Sequence, residues 1–133
     1  MTDTPKLGWV IAYVPDVEEA VSFYERTFGL KRNFVGDEGD FGELDTGPTK
    51  LAFASEALAD SNLAAGFQRP SAGEPPFNVE VALVFDDPEA AFARAIENGA
   101  VPLAEPKQKP WGQIVAYVQD PFGTLLELAS PVG

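Results

Sequence analysis

Residues 8–30 read GWVIAYVPDVEEAVSFYERTFGL, and the change of period inside this stretch decides the fold. Up to Val14 it is an apolar run with the β-branched and aromatic content of a strand. After Pro15, Asp16 stands three residues before Glu19, the spacing of a capping box at a helix start. Val17, Ala20, Val21, Tyr24 and Phe28 then recur at three and four residues, which gives a helix one apolar face, and Gly29 ends it. Residues 78–100, NVEVALVFDDPEAAFARAIENGA, repeat the order. An apolar run leads to Asp87 before Pro88, then Glu89, Phe92, Ala95 and Ile96 follow at helical spacing, with Gly99 past the end.

Three further extended runs follow each helix. They are LKRNFVG, FGELDTG and KLAFAS in the first half and AVPLAEP, QIVAYVQD and TLLELAS in the second, so each half is β-α-β-β-β. Between them, residues 56–76 are rich in Ala, Ser, Pro and Gly, with a short helix expected within EALADSNLAAGF. A half of about 55 residues buries too little surface to be comfortable alone. The expectation is one α+β domain over 1–133: module one at about 7–55, a linker at about 56–76 and module two at about 77–130, their strands forming a curved mixed sheet around a cleft.

Composition removes whole classes of chemistry. The 133 residues include no cysteine and no histidine, which rules out disulfides, thiolate metal sites, a Ser-His-Asp triad and any histidine-bearing zinc site. Nine Lys and Arg against 21 Asp and Glu leave a net charge of −12, which repels phosphate backbones and anionic lipid, so nucleic acid and membrane surfaces are not expected partners. The N-terminal MTDTPKLGW has no basic region followed by an apolar core, and no window is apolar enough to span a membrane. The expected location is the cytoplasm. The acidity reads either as solubility or as a cleft suited to cations.

YVPDVEEAVSFYERTFGL, followed much later by PWGQIVAYVQDPFGTLLEL, resembles the vicinal oxygen chelate superfamily, which includes glyoxalase I, extradiol dioxygenases and bleomycin-resistance proteins. The likeness runs from about Leu7 to Ser130, the linker excepted, and rests on Asp-Val, Phe-Tyr and Phe-Gly together with Asp-Pro-x-Gly-x-x-x-Glu. One scaffold in that family carries isomerases, lyases, dioxygenases and metal-free binders, so the likeness does not by itself choose an activity.

In metal-dependent members, four inward strand positions hold the ion, usually histidine on the first strand of a module and glutamate on the last. Asp16 and Asp87 lie 71 residues apart, which pairs Trp9 with Glu80, and Asp45 and Asp120 lie 75 apart, which pairs Ala52 with Glu127. On these positions only Glu127 matches the family's ligand pattern. Trp9 and Ala52 cannot coordinate a divalent metal, whereas a catalytic transition-metal site normally has three protein ligands. No cofactor is therefore expected, a divalent ion held by two carboxylates and water being the remaining metal option.

Strand alternation puts the two glutamates on one face. Val79, Val81, Leu83 and Phe85 suit a helix-covered side, leaving Glu80, Ala82 and Val84 opposite; Leu126 and Leu128 leave Leu125, Glu127 and Ala129 opposite in the same way. If the modules pack as the resemblance implies, the carboxylates come within about 5 Å and repel by about 3 kcal/mol, so that one keeps its proton. Glu80 and Glu127 are thus the candidate catalytic pair. Trp111, in the Pro-Trp-Gly bend that resembles the one in bleomycin-resistance proteins, joins Trp9, Tyr13, Ala52 and Phe122 as candidate ligand-binding surface beside them.

Residues 36–45, GDEGDFGELD, read as a hairpin turn, since they lack calcium-loop spacing, and Lys107 and Lys109 read as solvated edge charges. The resemblance also implies a homodimer, because one chain leaves long sheet edges open. Two functions follow from it: a protein that binds a small cationic or aromatic molecule at a degenerate metal site, or an enzyme of the lactoylglutathione lyase, isomerase or dioxygenase type using a divalent metal or the glutamate pair.

Overall fold

In the computed structural model, which describes residues 3–132, the capping chemistry expected at both main helices is in place. Residues 1, 2 and 133, and with them the first two positions of the N-terminal MTDTPKLGW, lie outside the described residues. Strand β1 (Trp9–Val14) leads into helix α1 (Val17–Phe28), where Asp16 accepts a hydrogen bond from the Glu19 amide at 3.1 Å. The helix ends on Gly29 at φ 71°, a left-handed conformation that costs little only without a Cβ. Val17, Ala20, Val21 and Tyr24 are buried as their period requires, and Phe23 and Thr27 join them. Phe28 is only half-buried, because Phe23 takes the inner place and stands edge-to-face against Tyr24 at 5.1 Å and Phe28 at 6.0 Å.

Strands β2 (Lys31–Val35), β3 (Phe41–Asp45) and β4 (Lys50–Ser55) complete a four-stranded mixed sheet in the order β1-β4-β3-β2, with β1 parallel to β4. Helix α1 lies close on β3 because residue 42 is glycine: a Cβ there would stand 2.9 Å from Val17 Cγ1 and 3.0 Å from Val21 Cγ2. The acidic stretch 36–45 is only half a turn. From Phe41 onward it is strand, which makes Glu43 a face-directed residue rather than a loop carboxylate.

A short helix, α2 (Glu56–Asn62), follows directly, with the Ser55 hydroxyl accepting from the Leu58 amide at 3.0 Å. The chain divides into two compact units between Gln68 and Arg69. Residues 69–77 lie in the second unit, held by Gln119, whose buried amide accepts from the Gly73 N–H at 2.9 Å and donates to the Glu74 and Gly123 carbonyls at 3.1 Å each.

The second unit contains β5 (Glu80–Val84), α3 (Pro88–Glu97), β6 (Val101–Gln108), β7 (Ile114–Gln119) and β8 (Leu125–Ala129), its sheet ordered β5-β8-β7-β6. Asp87 caps α3 by accepting from the Ala90 amide at 3.1 Å, and Pro88 occupies the first turn. The helix buries Pro88, Ala91 and Ala95, while Ile96 is exposed and Phe92 half-buried, so small side chains rather than the larger ones make the seam. Strand β5 begins only at Glu80, and Val79, expected on the helix side, precedes it and is exposed.

Both units are therefore βαβββ, and their registers coincide. Trp9 pairs with Lys50 and Ile11 with Ala52; at the same offsets Glu80 pairs with Leu125 and Ala82 with Glu127. Among the described residues no helix is long and apolar enough to cross a membrane.

Candidate functional site

Cross-strand partners share a face of a sheet, so register alone assembles the first part of the site. With Glu80 opposite Leu125 and Ala82 opposite Glu127, the two glutamates sit diagonally on adjacent strands, while Leu126 and Leu128 are buried on the face that packs against α3. The Glu80 and Glu127 side chains hydrogen-bond each other, which two carboxyl groups do only with a proton between them. Removal from water, then this hydrogen bond and the charge on Glu127, push the Glu80 carboxyl above its ordinary value of 4.5. Glu80 keeps contact with solvent, so the shared proton is exchangeable rather than sealed in. The approach of the two carboxyls, expected from packing of one module on the other, comes from strand pairing within the second unit alone.

Tyr117 completes this group. It is the cross-strand partner of Glu127 on β7, and its hydroxyl donates to Glu127 Oε1 at 3.0 Å. Removal from water, the bond to Glu127 and the charges of Glu127 and Glu80 push the phenol above its ordinary value of 10, which keeps it a donor. Glu127 thus has partners on two strands, Tyr117 on one side and Glu80 on the other.

This arrangement predicts a pH dependence of stability. Because the Glu80 value is raised in the folded state, its stabilising contribution is full below about 4.5 and is lost as pH rises through the raised value. Urea unfolding at a series of pH values is expected to show stability falling over that window, and Glu80→Gln to remove most of the fall. Carbon-13 NMR should show one raised apparent value belonging to the pair, abolished by Glu127→Gln. Two ordinary glutamate titrations would contradict the shared proton.

The equivalent face of the first unit is built differently. Trp9 Nε1 donates to Glu43 Oε1 at 2.7 Å, and Asn33 Nδ2 donates to Glu43 Oε2 at 2.8 Å. Those two bonds, the indole's first, hold Glu43 below the usual carboxylate range. Trp9 on β1 and Glu43 on β3 meet across β4, where Ala52, the cross-strand partner of Glu43, is buried. Alanine presents only a methyl group between them. Tyr13, further along β1, is engaged edge-to-face with Phe67 at 5.0 Å.

Trp111 and Phe122 are placed elsewhere. Trp111 lies in the β6–β7 hairpin and donates to Gln113 Oε1 at 2.8 Å, while Gln113 Nε2 donates to the Ser130 carbonyl at 2.8 Å. Ser130 is three residues past Glu127, or about 10 Å along the strand. Trp111, 64% exposed, is therefore at one end of the sheet, and Glu80, level with Leu125, toward the other. Phe122 sits in the turn before β8, its amide donating to Asp120 Oδ1 at 2.9 Å. Lys107 and Lys109 line an open depression of about 500 Å³ at the hairpin.

Of the residues named from the sequence, the structure brings Glu80 and Glu127 together, and it adds Tyr117 and Glu43, which the sequence reading did not name. The usable signal was hairpin symmetry: Tyr117 and Glu127 are each five residues from Phe122, and Glu43 and Ala52 are equidistant from the Gly47-Pro48 turn. Among the described residues, no three His, Cys, Asp or Glu side chains converge as metal ligands.

A family model described as the Glyoxalase/Bleomycin resistance protein/Dioxygenase superfamily matches residues 6–128. Solved structures agree in fold. A glyoxalase/bleomycin resistance protein/dioxygenase family enzyme from Burkholderia phytofirmans PsJN is 20% identical, with a TM-score of 0.80 over 95% of this chain and 98% of that one. A glyoxalase-related enzyme from Fulvimarina pelagi is 18% identical, with a TM-score of 0.80 over 98% and 94%. A glyoxalase/bleomycin resistance protein/dioxygenase from Nocardioides is 20% identical, with a TM-score of 0.73 over 99% and 87%. No curated protein matches the chain.

Proposed function

We propose that this chain, which belongs to the Glyoxalase/Bleomycin resistance protein/Dioxygenase superfamily, binds a small cationic or aromatic molecule without a catalytic metal. The observation that carries the reading is the hydrogen-bonded set of Glu80, Glu127 and Tyr117. The donors do not fit the metal that the family's lyases and dioxygenases use. A transition-metal site normally takes three protein ligands, and here two carboxyls hold each other through a proton while Trp9 and Ala52 occupy the corresponding first-unit positions.

On this reading a cation reaching the pair displaces the shared proton, and both carboxylates then face it. Affinity rises with pH through the Glu80 titration, and it falls with salt because part of the attraction is coulombic. Titration calorimetry with planar cations, bleomycin among them, tests this in two buffers of different ionisation enthalpy. The expected result is proton release that disappears in Glu80→Gln, with affinity lowered roughly tenfold there and in Glu127→Gln. Equal binding of neutral aromatics with no salt or pH dependence would leave the acidity as solubility alone.

The raised Glu80 carboxyl favours one second reading, a metal-independent lyase or isomerase with Glu80 as the proton donor and Glu127 oriented beside it by the Tyr117 hydroxyl. It separates from the first by turnover: substrate would be consumed by chelator-treated protein, with a rate that follows the Glu80 titration.

A further inference from the structure

We infer that the first unit carries its own recognition site for an organic ammonium cation, formed by the indole face of Trp9 and the carboxylate of Glu43. This deepens the small-molecule reading by naming a ligand class, and it rests on residues separate from the second unit's carboxyl pair.

Three observations lead to it. Trp9 is 54% exposed even though its N–H is committed to Glu43, so the hydrogen bond fixes the indole while leaving much of the ring surface open. Glu43 is fixed through both oxygens by neutral donors, Trp9 and Asn33, which orient its charge without neutralising it. Lys50, the cross-strand partner of Trp9, acts on Glu43 through its charge and is itself paired with Asp45 at 3.4 Å. A ring quadrupole and an adjacent full negative charge select a cation with an apolar shell, which gains from both, over a metal ion, for which the indole has no lone pair to offer. Ile11 and Phe34 are exposed on the rung that contains Ala52 and Glu43, adding apolar surface for the ligand's carbon atoms.

The two units therefore differ in charge behaviour. Glu43, held low by its donors, stays ionised where the Glu80–Glu127 pair still holds its proton. Below the Glu80 titration, an ammonium ligand is expected to use the first unit alone.

The test is NMR of the native protein, following the Trp9 indole N–H resonance during titration with choline and with its neutral isostere 3,3-dimethyl-1-butanol. Choline is expected to shift the resonance saturably and to bind roughly tenfold more tightly than the alcohol. Glu43→Gln, which retains an oxygen for the indole bond, should remove that preference, and Trp9→Leu should abolish saturable choline binding at pH 4.5. Choline binding unchanged by Glu43→Gln but lost in Glu80→Gln overturns the inference and leaves the reading of the carboxyl pair standing. No saturable binding of choline anywhere overturns the inference, and failure of the planar cations above is what removes the broader reading. A Trp9 resonance that shifts with protein concentration alone gives this face to a second copy of the chain, and also overturns the inference.

Discussion

Gly123→Ala is expected to destabilise the protein by about 3 kcal/mol or more, one of the largest effects of a single methyl group anywhere in the chain. Two costs combine. Gly123 has φ 100°, where an L side chain is strained, and a Cβ there would stand 2.7 Å from Pro70 Cβ, 2.8 Å from the Ser71 amide nitrogen and 3.0 Å from the Pro70 carbonyl carbon. Two of those three atoms are backbone, so relief requires moving the 69–77 segment off the second unit. Gly112→Ala separates the terms, since Gly112 has φ 97° with nothing within 4 Å of the added Cβ. It should cost only the conformational part, about 1 kcal/mol. Urea denaturation of both variants is the measurement, and equal losses would show that contact with the segment contributes nothing.

The second large effect is expected at Gln119→Leu, about 2 to 3 kcal/mol despite similar volume. The native amide is buried and satisfied: it accepts from Gly73 and donates to the carbonyls of Glu74 and Gly123. Leucine leaves these backbone groups without that partner, and water can replace it only if the segment lifts. Limited proteolysis should therefore cut within residues 69–77 at least severalfold faster in Gln119→Leu, with cleavage elsewhere rising only as global stability falls. A resistant segment would mean that its hold comes from proline packing against Gly123 rather than from the buried amide.

These residues also explain part of the motif that identified the family. In Asp-Pro-Phe-Gly, Asp120 is buried and accepts from the Phe122 and Thr124 amides at 2.9 Å each, closing the turn before β8. The sequence marks the turn. Why its last residue must be glycine became visible only when Pro70 and Ser71, some fifty residues earlier, were found against it. The role of Gln119 was hidden for the same reason: in QIVAYVQD it reads as a strand-end polar residue, and its partners in the 69–77 segment lie 45 to 48 residues away.

Local chemistry determined by itself what depends on spacing along the chain. Asp16 and Asp87 cap helices, Gly29 ends one, and two βαβββ units follow at offsets of 71 and 75 residues, which the registers reproduce. Alternation then put Glu80 and Glu127 on one face, because side-chain direction in a strand has period two wherever the strand lies. Tertiary structure decided everything that requires knowing which strand lies beside which. Pairing of β7 with β8 brought the Tyr117 hydroxyl to Glu127, and the order β1-β4-β3 let Trp9 reach Glu43 across Ala52. The same geometry put Trp111 at the end of the sheet away from Glu80. Hydrogen bonds and proton affinities act over a few ångströms of space, whereas sequence records distance only along the chain, and in a sheet of this topology the two measures agree within a strand and part company between strands.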